Sequence, residues 1–256
     1  MTVDLTAIVL AIVGLMVGSF LNVCIYRIPQ RRSVVRPRSQ CAACERQLAW
    51  YENIPVISYT ALRGRCRTCG TRISLQYPLV EVITAAAFVV QYEVLGLTPL
   101  LAVRMVFACI LIVLFAIDLE HQLLPNVITL PALCGGLAAS LVLPPGIRDA
   151  LIGALVGGGI LFLIAEVYFR LRKEEGMGMG DVKMLAMIGA FLGWKLTILT
   201  LILASVGGSL AGIVILIAQR GNLKAAIPFG TFLAAGALFA SLYGDPLVAW
   251  YLSHLG

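Results

Sequence analysis

Apolar residues in this chain do not alternate with polar ones; they come in long blocks. Mostly apolar runs occupy 5–26, 78–95, 99–117, 126–143, 149–169, 182–193, 195–218 and 227–243, with a further apolar tail at 246–255. A helix needs about 20 such residues to cross the hydrocarbon of a bilayer. The pattern therefore predicts an all-α polytopic membrane protein with about eight transmembrane helices, or nine if the tail crosses separately. The first block does not read as a removable signal peptide, because Met1–Thr6 contains Asp4 and no Lys or Arg, and the cations follow the apolar run. Composition agrees: 60% of the 256 residues are hydrophobic, 12% are charged, and mean hydropathy is +0.96. That leaves too little polar surface for a water-soluble fold and too much apolar content for disorder.

Charge adds orientation. Ten Lys/Arg lie between Arg27 and Gln76 against two acids, Glu45 and Glu52, a local +8 in a chain of net +6. A nucleic-acid module could carry such a block, but loops flanking membrane spans acquire Lys and Arg because positive charge stays inside, and no nucleic-acid partner is expected. With 27–77 in the cytoplasm, alternate threading puts sixteen cations inside and leaves Arg104, Arg148 and Lys195 outside, with both termini outward. The expected organisation is a first transmembrane helix at 1–26, a cytoplasmic domain at 27–77 and a membrane domain at 78–256. Small residues at four-residue spacing, Gly153/Gly157 and Gly208/Gly212, predict close helix packing.

The threading also places Asp118, at the inner end of the third span, and Asp181, at the inner start of the sixth, at one depth. Acids retained in a membrane usually face a cavity or a partner. Two carboxylates sharing a site cannot both ionise easily, and this divides them into a general base that activates water and a general acid that protonates a leaving amine. Helix-end charges assign the shared proton to Asp118, at a C-terminal end, and the charge to Asp181, at an N-terminal one. Gly176, Gly178 and Gly180 let the backbone before Asp181 leave helical geometry and approach an extended substrate. The alternative is that both aspartates are ordinary interfacial residues that cap helices. Glu81, just inside the cytoplasmic boundary of the second span, is a candidate for a second, cofactor-binding site or an interfacial acid, and His121 a candidate neighbour of the aspartates.

Four cysteines form two C-x2-C pairs, Cys41/Cys44 and Cys66/Cys69. The spacing suits a closed tetrahedral zinc site, with a redox pair the alternative; a loop with few large apolar residues needs such a staple. Cys24, Cys109 and Cys134 lie within apolar spans and read as packing residues.

The stretches Gly18–Pro29, Asn53–Pro55, Leu62–Cys66 and Tyr77–Glu81, with the cysteine pairs, resemble the amino-terminal half of bacterial type IV prepilin peptidases. Asp118–Pro125 and Glu175–Lys183 resemble that family's two aspartate motifs. The likeness runs from about residue 14 to about 235, in order and with family-like spacing. It implies a bifunctional inner-membrane enzyme that cuts the basic leader of type IV prepilins and type II secretion pseudopilins after a glycine. The same enzyme then methylates the new amino terminus with S-adenosylmethionine. It also implies that Asp118 and Asp181 are the catalytic aspartates and the four cysteines the tetrad. The Gly178-Met-Gly180-Asp181 form is similar to that of the presenilin class. Two departures stand out: Asn126 occupies a position where many relatives carry aspartate, and the first cysteine pair lacks the proline often found after its leading cysteine. No glycine-rich nucleotide loop follows a strand, so the methyl-donor site is not legible. The rival readings are a proton-coupled transporter, with Asp118 and Asp181 as relays, and a non-enzymatic scaffold whose zinc loop binds a partner.

Overall fold

The computed structural model describes residues 4–174, 178–218 and 228–255. The helices are α1 (Leu5–Arg27), α2 (Ile57–Ala61), α3 (Gln76–Leu95), α4 (Pro99–His121), α5 (Asn126–Ala139), α6 (Ile147–Arg172), α7 (Met179–Ala218) and α8 (Phe229–Leu255), with a 3-10 turn at Trp50–Asn53. There is no strand among the described residues, only two isolated bridge pairs, Gln40 with Gln47 and Arg65 with Arg72. Among the described residues, six helices are long and apolar enough to cross a membrane.

The predicted blocks, where described, form helix over most of their length, with three differences. The predicted span 126–143 is only the 14-residue α5, about 21 Å of helix and short of a full crossing. The tail at 246–255 is not a separate span; it continues α8 through Pro246. The sixth and seventh blocks are the two arms of α7, whose backbone breaks at Gly193 with φ 76° and ψ 168°. Only glycine fits this break, since φ is positive and a Cβ would lie 3.0 Å from Pro145 Cβ.

The chain forms two compact units that divide at Val113/Leu114, within α4. In unit 1, α1 packs on α3, and a Cβ on Gly14 or Gly18 would come within 2.6 Å of the Cα of Ala85 or Glu81. The glycine search along the sequence missed this crossing. Buried Asn22 fixes its register by donating from Nδ2 to the Gly18 carbonyl at 3.2 Å and the Tyr77 carbonyl at 3.0 Å. Buried Arg27 turns the chain out of α1 by donating to the Ser33 and Arg38 carbonyls at 3.0 and 3.4 Å. In unit 2, α7 packs against α5, α6 and α8. Gly153 meets Gly189 backbone to backbone, and Gly157 meets the Leu185 carbonyl, as the four-residue spacing predicts. Gly208 differs: its neighbour is the Phe232 ring at ordinary contact distance, so no close crossing forms there.

Candidate active site and metal centre

Both aspartates belong to unit 2. Asp118 lies in the last turn of α4 and is buried, and Asp181 lies in the first turn of α7 and is partly buried. Each carboxyl lies in the other's electrostatic field. The Leu124 side chain links the surroundings of the two. It lies 3.0 Å from where a Cβ on Gly180 would stand and 2.9 Å from where one on Gly230 would stand. Gly180 precedes Asp181, and Gly230 precedes Thr231. The Thr231 amide and hydroxyl both donate to Asp118 Oδ2, at 2.7 and 3.1 Å. A Cβ on Gly230 would sit 2.9 Å from that same oxygen.

The other candidates are placed as follows. The Asp181 amide donates to the Gly178 carbonyl at 3.1 Å, which starts α7. Gly176 and Glu175 lie outside the described residues. His121 is exposed at the end of α4. Asn126 Oδ1 accepts from Lys183 Nζ at 2.9 Å, joining the start of α5 to α7 two residues after Asp181. The sequence reading missed Thr231 and Gly230. Their signal was a Pro-Phe-Gly-Thr stretch, 228–231, opening the last apolar block.

In unit 1, the cysteine pairs close into two matching knuckles. The Cys41 N–H donates to the Arg46 carbonyl while the Cys41 carbonyl accepts from the Glu45 N–H; Cys66 does the same with the Thr71 carbonyl and the Gly70 N–H. Glu45 and Gly70, each four residues past the leading cysteine, both have positive φ, 55° and 70°. The four sulfurs all lie within 4.8 Å of one another, with Cys41 and Cys69 Sγ 3.8 Å apart. Four thiolates at about 2.3 Å from one zinc ion stand about 3.8 Å apart, so the donor set fits a tetrahedral metal. Hydrogen bonds from the Thr71 hydroxyl and amide bring the Cys69 thiol down to about 6. Amides of Cys69 and Thr68 lower Cys66. Cys44 is pushed up to about 11: the Arg46 amide pulls it down, but desolvation and the neighbouring sulfurs outweigh that pull. Of the arginines near the cysteines, Arg46 ion-pairs with Glu52 at 2.7 Å and Arg67 donates to the Tyr51 hydroxyl at 2.9 Å. Cys24 is buried as expected of a packing residue, Cys109 is partly buried, and Cys134 is exposed on α5. Glu81 is buried on α3, where Oε2 accepts the Val56 amide at 2.8 Å.

The fold defines a polytopic membrane protein that holds Asp118 and Asp181 in one compact unit. The model of the Type IV leader peptidase family matches residues 105–217, and that of the Bacterial Peptidase A24 N-terminal domain matches residues 12–94. A Myxococcus xanthus protein named prepilin leader peptidase/N-methyltransferase is 44% identical over 84% of this chain, which spans 64% of that protein's length. Proteins of the same name from Aeromonas salmonicida and Pseudomonas putida are each 38% identical. The alignments cover 94% and 96% of this chain and 91% and 93% of theirs. No solved structure matches. The chain belongs to the type IV leader peptidase family.

Proposed function

We propose that this chain is an aspartic endopeptidase and amino-terminal methyltransferase of a bacterial inner membrane. Its substrates are type IV prepilins and type II secretion pseudopilins, cut after a glycine at the cytoplasmic face. The observation that carries the peptidase reading is the pairing of Asp118, held at Oδ2 by two donors, with Asp181.

The paired donors on Asp118 support one division of labour. Hydrogen bonds to a charged group contribute about 1.5–3 kcal/mol each, whereas a helix terminus contributes about 0.3–1 kcal/mol. Two donors on one oxygen therefore outweigh the helix-end argument and keep Asp118 as the acceptor. Asp118 takes a proton from water as that water attacks the scissile carbonyl. Asp181 gives its proton to the leaving nitrogen, and the proton taken up by Asp118 passes back to Asp181 before the next turnover. A prepilin enters with an apolar helix in the bilayer and a basic leader in the cytoplasm, so its scissile bond lies at the inner boundary. Glycine before the bond makes local unwinding of that helix easier.

The cysteine knuckles hold one structural zinc through Cys41, Cys44, Cys66 and Cys69; a closed four-thiolate site has no open position, so its work is folding the loop. The methyl group comes from S-adenosylmethionine when that donor is bound. Unit 1 offers room for donor and acceptor in a cleft of about 780 Å3 whose wall includes the polar side chains of Ser39 and Asn53.

The test is incubation of the purified protein with a prepilin and methyl-labelled S-adenosylmethionine. Wild type releases the leader and labels the mature product. Asp118→Asn and Asp181→Asn each abolish release while still labelling a pre-cleaved product. Leader release by either variant at the wild-type rate overturns the peptidase assignment.

A further inference from the structure

The cleft in unit 1 lies between α1 and the cysteine loop. One side is a seam of α1, Ile12, Met16, Phe20 and Val23, at a spacing that puts all four along one face. Ile12, Met16 and Phe20 are more than half exposed, so this seam is open along its length. The other side is built from two loop segments, one including Val34, Val35 and Pro37 and the other Ile54, Pro55 and Ile57. The cleft is thus apolar along both walls, with Ser19, Arg27, Arg38, Ser39 and Asn53 as its polar lining.

This second wall is held in a costly conformation. Val56 has φ 58° and ψ −46°, and the Pro55 carbonyl accepts from Ile57 N–H across it, which makes a positive-φ γ-turn centred on a β-branched residue. The turn is clamped from below. Buried Glu81 accepts the Val56 amide at 2.8 Å and bonds the side chain of Ser19, itself a lining residue. On its other flank Ser58 Oγ donates to the Tyr51 carbonyl at 2.6 Å and accepts from the Ile54 amide at 3.1 Å. Strain maintained by surrounding contacts at the rim of a cavity marks a ligand site.

We propose that this cleft receives the apolar amino-terminal helix of the cleaved substrate and presents its new α-amine for methylation. The proposal rests on the methyltransferase reading above. An occupant that is apolar along its length matches the open seam, and one with a polar end matches Ser39 and Asn53. Val34, Val35 and Ile54, close in sequence to those polar residues and also in the lining, cover a first side chain. Charge agrees as well: cationic surroundings at Arg27 and Arg38 help the amine shed its proton, and its lone pair would then form the N–CH3 bond as the S–CH3 bond of the bound sulfonium donor breaks and the donor leaves as a neutral thioether. An anionic lipid is the rival occupant and fits less well, since the Arg27 guanidinium is already engaged by the Ser33 and Arg38 carbonyls.

The experiment places a benzophenone amino acid at Met16, Ile57 or, as a control, Leu163 on α6, which is also exposed. The full-length protein sits in phosphatidylcholine vesicles containing phosphatidylglycerol, with a synthetic pre-cleaved pilin peptide. Capture of the peptide at Met16 and Ile57, about tenfold above Leu163 and suppressed by unlabelled peptide, supports the site. Equal peptide capture at all three positions, or phosphatidylglycerol adducts in place of peptide at Met16 and Ile57, overturns it. Failure of the wild type to label the peptide from S-adenosylmethionine overturns the underlying methyltransferase reading instead, so the two failures are read separately.

Discussion

Thr231 donates twice to one oxygen of Asp118: its amide at 2.7 Å and its hydroxyl at 3.1 Å both end on Oδ2. The side-chain bond can be removed alone. Thr231→Val keeps the shape and the amide but deletes the hydroxyl, and losing one hydrogen bond to a charged group lowers kcat for leader release by about tenfold or more. Thr231→Ser restores it. Single-turnover cleavage of a prepilin peptide checks this, with KM expected to change little because the bond orients the base and does not bind substrate. Valine and serine variants of equal rate would remove Thr231 from the site.

Gly230 is required by proximity. An added Cβ would stand 2.9 Å from Asp118 Oδ2 and 2.9 Å from Leu124 Cδ1. Neither neighbour can withdraw freely, because Thr231 fixes the first and the second is wedged toward Gly180. Gly230→Ala is expected to cut leader release by about a hundredfold, since displacement of a catalytic group by an ångström has that effect. Methylation of a pre-cleaved peptide serves as the internal control for folding.

Gly193 makes a separate prediction about stability. Its φ of 76° and the Pro145 side chain 3.0 Å from its missing Cβ combine to penalise alanine there. Gly193→Ala is expected to lower stability by about 1–3 kcal/mol. Gly159, in α6 with nothing within 4 Å of an added Cβ, gives the matched control: Gly159→Ala changes little or stabilises slightly. Thermal unfolding in detergent compares the two.

What could be read from the sequence depended on whether a residue's role was local. Apolar blocks declare themselves because lipid demands a run of about 20 residues whatever the tertiary structure. Asp118 and Asp181 stood out because alternate threading puts both at the inner ends of such blocks, at one depth, where an acid is costly. Thr231 did not, because threonines in apolar helices commonly bond their own backbone, as Thr197 and Thr200 do with the Gly193 and Leu196 carbonyls. Only the fold shows that Thr231 points at Asp118, 113 residues away. The shortness of α5 was hidden for a similar reason: Ser140 to Leu143 is apolar enough to pass for helix, and it is the turns there that end it. The strained Val56 turn left no trace, since valine after proline ordinarily signals extended chain.

The Arg46–Glu52 pair gives the cysteine loop a pH dependence. Glu52 accepts from Arg46 at 2.7 Å and from the Ala49 amide at 2.8 Å, and both lower its pKa from 4.5. A carboxylate lowered on folding stabilises fully above its unfolded pKa and ceases to as pH falls through the folded value. Wild type is therefore expected to resist proteolysis in the loop better than Glu52→Gln at neutral pH, with the advantage shrinking below pH 4.5. A constant advantage at every pH would assign the effect to packing.

Metal removal tests the link between the two halves of the loop. The knuckles at 41–46 and 66–71 are joined through the four sulfurs, and the residues between them include the Val56 turn that walls the cleft. A loop of this size has few large buried apolar side chains, and metal binding in such sites is itself folding free energy, on the order of 10 kcal/mol. The protein is expected to carry about one zinc per chain by elemental analysis. A strong chelator removes it, opens Arg36–Arg72 to protease and abolishes methyl labelling of a pre-cleaved peptide. Because Asp118, Asp181 and Thr231 all lie in unit 2, leader release in the same chelated sample persists. Equal loss of both activities would mean that the metal supports the whole chain and not the loop alone.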